Sequence, residues 1–290
     1  MGNKSSRQAR TEAPQKRQSS FLQRQKSIIA NKGAIPDFRT LDELLAHFRE
    51  CSIIEDMNII IGIDATGSNK TSGLSSFGRS LHSNSPTYGP YAETIRLLKT
   101  TLEFDSDHIF PLYYFGSLQA NNVGGALHVG NYPTVEGLLD SYLKSIDFQK
   151  LSGPTTFAPL IREAISIVKE TERFHLLIII SDGQISKDLK QEHINLLREV
   201  ANHPLSIVCI GVGDGPFDDM VNFDDNVAGR VDIFNFVNYN KVCGRDDELM
   251  LQVLMEVPDH YYSAQQRLGY TPKYGPLTGK SVMESPPVYF

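Results

Sequence analysis

Cysteine is scarce in this chain: three in 290 residues, Cys51, Cys209 and Cys243, far apart and without a C-x-x-C pair. That scarcity excludes a disulfide framework and a cysteine-built zinc site, and it fits a reducing, intracellular setting. The three cysteines are expected to pack as small apolar groups. Long hydrophobic runs are lacking as well. No apolar stretch approaches the roughly 18 residues of a spanning helix, and the N-terminus lacks the apolar centre of a secretory signal. The chain is therefore expected to be neither integral to a membrane nor secreted. Among the eight histidines, His82, His175 and His203 stand in unrelated contexts and form no spaced ligand set. No Ser-His-Asp or Cys-His arrangement is indicated, no internal repeat is found, and no catalytic residue is assigned.

What is present begins with charge. The formal net charge of -6 conceals an asymmetry, because the first 34 residues hold eight Lys and Arg against one acid, Glu12. This segment carries about +7, leaving about -13 for the remainder. An acidic body of that kind repels nucleic acid, so no nucleic-acid partner is expected, although the tail alone could touch phosphates.

Residues 1–35, rich in Gln, Ser, Lys and Arg, are too poor in large apolar groups to offset ordering entropy and are expected to be disordered. After Pro36, "TLDELLAHFREC" offers Thr40 as N-cap and Glu43 three residues on, a capping box that opens an amphipathic helix. Apolar runs at 57–63, 109–116, 175–181, 205–213 and 231–239 predict strands. Helical periodicity near 91–102, 134–145, 158–171, 188–201 and 246–256 separates several of them. The pattern predicts an α/β domain over 36–262 with a doubly wound, mostly parallel sheet flanked by helices. The Gly-rich "VGGALHVG" suits an edge hairpin. From 263 to 290 the sequence is rich in Pro and Gly and is expected to be an irregular tail.

Three predicted strands end on acids: Asp64, Asp182 and Asp214. In open α/β sheets functional groups collect at the carboxyl ends of strands. Asp64 and Asp182 on adjacent strands would lie close together, which is costly unless a cation or proton neutralises the pair. "DATG" and "GDGPFD" invite a phosphoryl reading with Asp64 as nucleophile, since they resemble the motifs of haloacid-dehalogenase-like phosphatases. Against it, Thr66 stands where the cytosolic enzymes of that type have a second acid. A cage of oxygens for a hard cation uses more residues. "D-x-T-x-S" sends Asp64, Thr66 and Ser68 towards one point, "GPTTFAPLI" adds Thr155 before a helix, and "IIISDGQ" adds Asp182. Asn69 is expected to brace the loop, and Asp214, Asp218 and Asp219 to be solvated loop acids.

This set resembles the metal-ion-dependent adhesion site of von Willebrand factor A domains, with Asp64, Thr66, Ser68, Thr155 and Asp182 as the five matching positions. The resemblance implies Mg2+ or Mn2+, with Ca2+ also allowed, held directly by hydroxyls and often through water by aspartates. A sixth position would be open to an acidic side chain of a protein partner. "IDATGSN", "SGPTTFAPLI", "GVGDGPFDDM", "FDDN", "FNFVNYNKV" and "LMEVPDHY" are together similar to the copine-type A domain, especially that of plant copine-domain ubiquitin ligases with a RING finger. These motifs span about 38–262. Neither the C2 pair of copines proper nor a RING is legible in the chain. The expectation is therefore a binding module rather than an enzyme, with a substrate-recognition role in ubiquitination as the alternative.

"MGNKSS" matches M-G-x-x-x-[ST], with Gly2 as the myristoyl acceptor and Ser6 completing the pattern. One acyl chain binds membranes only marginally, and the basic tail is the second signal such anchoring needs. An anionic membrane surface is thus the second expected partner. The expected location is cytoplasmic and peripheral at the plasma membrane, with the nucleus as a further option.

Overall fold

Strands whose every residue is apolar or small need cover on both faces, and helices supply it here. The structure is a computed structural model in which residues 37–102, 109–183, 185–226 and 233–273 are described. Six strands, β1 (Asn58–Asp64), β2 (Phe110–Phe115), β3 (Ala126–Tyr132), β4 (His175–Ser181), β5 (Leu205–Gly211) and β6 (Phe234–Asn238), form one sheet in the order β3-β2-β1-β4-β5-β6. All neighbours are parallel except β3, which runs antiparallel to β2. β1, β4 and β5 are buried at every position, as strands of a sheet covered on both faces must be. The doubly wound expectation holds, and "VGGALHVG" supplies the edge strand.

The longer helices are α1 (Leu41–Glu50), α2 (Pro90–Leu102), α3 (Val135–Ser145), α4 (Ala158–Thr171), α5 (Lys190–Val200), α6 (Asp218–Asn226), α7 (Asp246–Leu254) and α8 (Val257–Leu268). Thr40 caps α1 as expected, its Oγ1 accepting from the Glu43 amide at 3.3 Å. Glu43 reaches back to the Arg39 amide at 2.9 Å, one residue before the cap. α4 buries Leu160, Ile161, Ala164, Ile165 and Val168 against the sheet. Its approach to β1 is close enough that a Cβ on Gly62 would meet Leu160 Cδ2 at 2.2 Å, so only glycine fits there.

Two expectations need correction. The boundary placed at 262 falls inside α8, which continues to Leu268. Pro258 opens that helix at its first turn, where the missing N–H costs nothing, and Gly269 ends it at φ +66°. Tyr270 and Lys273 then return to Asp56. The Tyr261 and Tyr270 hydroxyls donate to its carboxylate at 2.7–2.8 Å, and the Lys273 amide donates at 2.8 Å. The second correction concerns cysteine: Cys51 and Cys209 are buried, but Cys243 is exposed. Residues 1–36 and 274–290, with the expected disordered tail and Gly2, lie outside the described residues.

The strand order fixes where a site can form. From β1 the chain moves outward to β2 and β3, then crosses to β4 on the other side of β1. The crevice at the carboxyl ends of β1 and β4 is therefore the switch point of the sheet, where ligands of open α/β folds bind.

Candidate metal centre

β1 ends on Asp64 at that switch point. Register pairs Ile63 with Ile180 and Asp64 with Phe115, so Ser181 and Asp182 leave β4 beside the Asp64 carboxylate. Ser181 Oγ donates to Asp64 Oδ2 at 2.6 Å. Oδ1 accepts from the Thr66 amide at 2.9 Å and from Asn69 Nδ2 at 3.1 Å. The chain then turns through the 3-10 segment Gly67–Lys70, which brings Thr66 Oγ1 and Ser68 Oγ to 3.0 Å. Asn69 braces this turn as expected, its Nδ2 also reaching Thr66 O at 3.2 Å and Thr66 Oγ1 at 3.0 Å.

Asp182 joins the first loop through Ser72. The Ser72 hydroxyl lies 2.8 Å from both Asp182 Oδ2 and the Ser68 carbonyl oxygen. Thr155, buried in the loop before α4, is brought in by main-chain ties. Ser152 N donates to Ala65 O at 3.3 Å, Asn121 Nδ2 donates to Gly153 O at 2.8 Å, and the Thr155 carbonyl accepts from Ser186 N at 3.2 Å. Gly116, at φ +75°, lets the β2 loop close onto the site, since a Cβ there would meet Thr66 Cγ2 at 2.1 Å. The three loops carrying the five residues are thereby fastened to one another.

Asp64 and Asp182 are fully buried. Burial first, and the charge of Asp182 second, push the Asp64 carboxyl up to about 7, while hydrogen bonds from Ser181 and Thr66 oppose the rise. Asp64, Asp182 and the Thr66 and Ser68 hydroxyls are oxygen donors of the kind a hard divalent cation takes, and the loop carrying Thr155 is tied to theirs through its main chain. Asn69 Oδ1 is buried with no hydrogen-bond partner, so the cradle holds an acceptor still unsatisfied by protein donors. Among the described residues no three His, Cys, Asp or Glu side chains gather as a metal group. A site here therefore depends on the Thr and Ser hydroxyls.

Sequence reasoning missed the residues that hold this arrangement. His82 Nε2 donates to the Asp64 carbonyl at 2.9 Å, and its Nδ1 faces the Tyr142 hydroxyl at 2.8 Å, which must then be the donor. Full burial lowers the His82 pKa to about 3, so the ring is neutral and its tautomer is fixed by these two bonds. Ser72 and Ser181 were missed too, although Ser181 adjoins Asp182 in "IIISDGQ". Asp214 also departs from expectation. It is exposed, yet its carboxylate accepts from the Ser75 and Ser76 amides at 3.0 and 2.7 Å, pinning the short helix Leu74–Phe77 that follows the first loop. Burial acts to raise its pKa, but the hydrogen bonds from Ser76 and Ser75 together outweigh it and hold the pKa below the ordinary value.

In sequence, residues 80–273 match the family described as Copine. The chain is 35% identical over 281 residues to the E3 ubiquitin-protein ligase RGLG5 of Arabidopsis thaliana, covering 87% of this chain and 64% of that protein. It is 37% identical over 232 residues to RGLG1 of the same plant, covering 72% and 47%. To Copine family protein 1 of Caenorhabditis elegans it is 36% identical over 238 residues, covering 77% and 21%. The chain thus spans less than two thirds of the length of each of these relatives. On the family match and on identities above 30% across most of its residues, the chain belongs to the copine family.

Proposed function

We propose that this domain is a metal-ion-dependent protein-binding module. In this reading Asp64, Thr66, Ser68, Thr155 and Asp182 hold one Mg2+ or Mn2+, with Ca2+ as a permitted substitute, and an acidic side chain of a partner protein completes the shell. The observation that carries the reading is the juxtaposition of buried Asp64 and Asp182 among hydroxyls, with Asp64 held above its ordinary pKa partly by the charge of Asp182. A cation would neutralise the pair that burial makes costly. Myristoylation at Gly2, with the basic tail as second signal, would hold the module at the cytoplasmic face of the plasma membrane.

Calorimetric titration of Mg2+ into wild type and Asp64→Ala tests the metal role. Saturable binding to wild type that disappears in the variant is expected; unchanged affinity in the variant refutes it. For the anchor, intact mass after co-expression with an N-myristoyltransferase should show an acyl group that Gly2→Ala removes, and an unmodified wild-type mass refutes it.

A second reading, substrate recognition in protein ubiquitination, is favoured by the 35% and 37% identity to plant E3 ubiquitin-protein ligases. It requires that proteins captured by this chain in Mg2+, and released by EDTA, be ubiquitinated when a ligase is supplied. The phosphohydrolase alternative draws no support from the geometry. Both Asp64 oxygens are engaged by donors in a fully buried position, and the Asp214 carboxylate is turned to the amides of Ser75 and Ser76.

A further inference from the structure

A buried tyrosine hydroxyl ordinarily has a hydrogen-bond partner, because an unpaired one carries a cost that phenylalanine would avoid. Fully buried Tyr142 and Tyr261 follow the rule and bond to His82 and Asp56. Tyr91 does not. It is fully buried, and its hydroxyl has no hydrogen-bond partner among the described residues.

The fold sets that hydroxyl at the candidate cation site. α2 carries the chain from the carboxyl end of β1 back to the start of parallel β2, so its first turn, where Tyr91 follows Pro90, stands at the same end of the sheet as Asp64. The Tyr91 amide donates to Leu81 O at 3.3 Å, and the Leu81 amide donates to Asn69 O at 3.1 Å, which ties this turn to the loop that follows Asp64. The Tyr91 ring packs edge-on against His82 with centroids 4.7 Å apart, and His82 Nε2 lies 2.9 Å from the Asp64 carbonyl. Electrostatics agrees with position. Burial first, then the charges of Asp64 and Asp182, push the Tyr91 pKa up. The hydroxyl thus lies in the field of the two acids without a bond to either.

A hydroxyl so placed needs a small polar group between itself and the acids. A water in the shell of a divalent cation is such a group. The metal strengthens it as a donor, and it needs acceptors on the side facing the protein. We infer that the Tyr91 hydroxyl is a positioning group on the buried side of the cation site, accepting a hydrogen bond from a water held by the metal. The inference rests on the metal-dependent reading above and deepens it by naming a residue, outside the five, that orients the metal's shell. It also explains why tyrosine stands where phenylalanine would pack as well: the hydroxyl is unpaired in the protein alone and paired once a cation is bound.

The test compares wild type with Tyr91→Phe, and uses Tyr142→Phe as the case of a hydroxyl that does have a protein partner. Thermal unfolding of the full chain is followed in EDTA, and Mg2+ affinity is measured by calorimetry. In EDTA Tyr91→Phe should melt no lower than wild type and by up to about 4 °C higher. Tyr142→Phe, which strips His82 Nδ1 of its donor, should melt lower. Mg2+ should bind Tyr91→Phe about tenfold more weakly than wild type. A purely structural hydroxyl would lower both stability and affinity, whereas this account moves them in opposite directions. Unchanged Mg2+ affinity in Tyr91→Phe overturns the inference, while normal binding to wild type leaves the broader reading standing. A lower melting temperature of Tyr91→Phe in EDTA, or its failure to fold, overturns it too, since removing an unpartnered hydroxyl should not destabilise the chain. Absence of Mg2+ binding to wild type refutes the metal reading itself, and this inference with it.

Discussion

Asp56 precedes β1 and Asp64 ends it, and both carboxylates are buried by the same core. At the amino end of the strand the fold meets the charge with its own donors: two tyrosine hydroxyls, the Lys273 amide and the nearby charge of Arg173, which together oppose the rise in pKa that burial causes. At the carboxyl end three donors, the Thr66 amide, Asn69 Nδ2 and Ser181 Oγ, likewise meet the charge, but a second carboxylate, Asp182, faces the first. The difference teaches what each end is for. Asp56 is a clasp that fastens the segment after α8 to the sheet. Asp64 sits beside a second buried carboxylate, a pairing that a bound cation would relieve.

The contrast can be broken at either end. The largest effect is expected from Asp56→Ala, which takes the acceptor from the buried Tyr261 hydroxyl and from the half-buried Tyr270 hydroxyl and Lys273 amide. Loss of such a network costs about 4 kcal/mol. Thermal unfolding should move down by roughly 10 °C, and Mg2+ affinity, read by calorimetry, should not change. A variant that unfolds like wild type would remove the clasp from the account.

The pH dependence sharpens the same comparison. Asp64 has a folded-state pKa of about 7 against an ordinary 3.8, so across that window the folded chain retains a proton that the unfolded chain has released. Stability without a divalent cation therefore falls as pH rises from about 4 to 7, by an amount on the order of a few kcal/mol. Asp56 is raised in the same direction and contributes to the fall, but it lies away from the site. On the proposed reading, saturating Mg2+ takes the place of the proton at Asp64 alone. Melting curves in EDTA and in Mg2+ should thus diverge as pH increases, and Asp64→Asn should bring the two sets together.

A smaller effect is expected at the support beneath the site. His82→Phe removes the bond to the Asp64 carbonyl and strands the Tyr142 hydroxyl, a loss of about 1–2 kcal/mol in stability. Mg2+ affinity should weaken by about tenfold, as for other changes one step removed from a metal ligand. Full affinity in this variant, measured by calorimetry, would show that the carbonyl needs no such anchor.

How far the sequence made these features legible follows from the physics of each. β1, β4 and β5 could be read because buried parallel strands are continuous apolar runs, and "D-x-T-x-S", Thr155 and Asp182 could be read because each lies beside a strand end or a helix start. Ser181 could not be assigned a role, because it reaches Asp64 only through the pairing of Ile63 with Ile180. Ser72 and His82 act across loop folds that no local pattern encodes. The clasp was hidden for a different reason. Tyr270 and Lys273 take on meaning only on meeting Asp56 from the far end of the chain.

The most direct test of the central claim is an anomalous difference map from crystals of the chain grown with Mn2+. The account predicts a single peak bounded by Asp64, Thr66, Ser68, Thr155 and Asp182, with hydroxyl oxygens of Thr66 and Ser68 at about 2.1 Å, as for a small hard dication. No peak there, or one remote from Thr155 and Asp182, would contradict it.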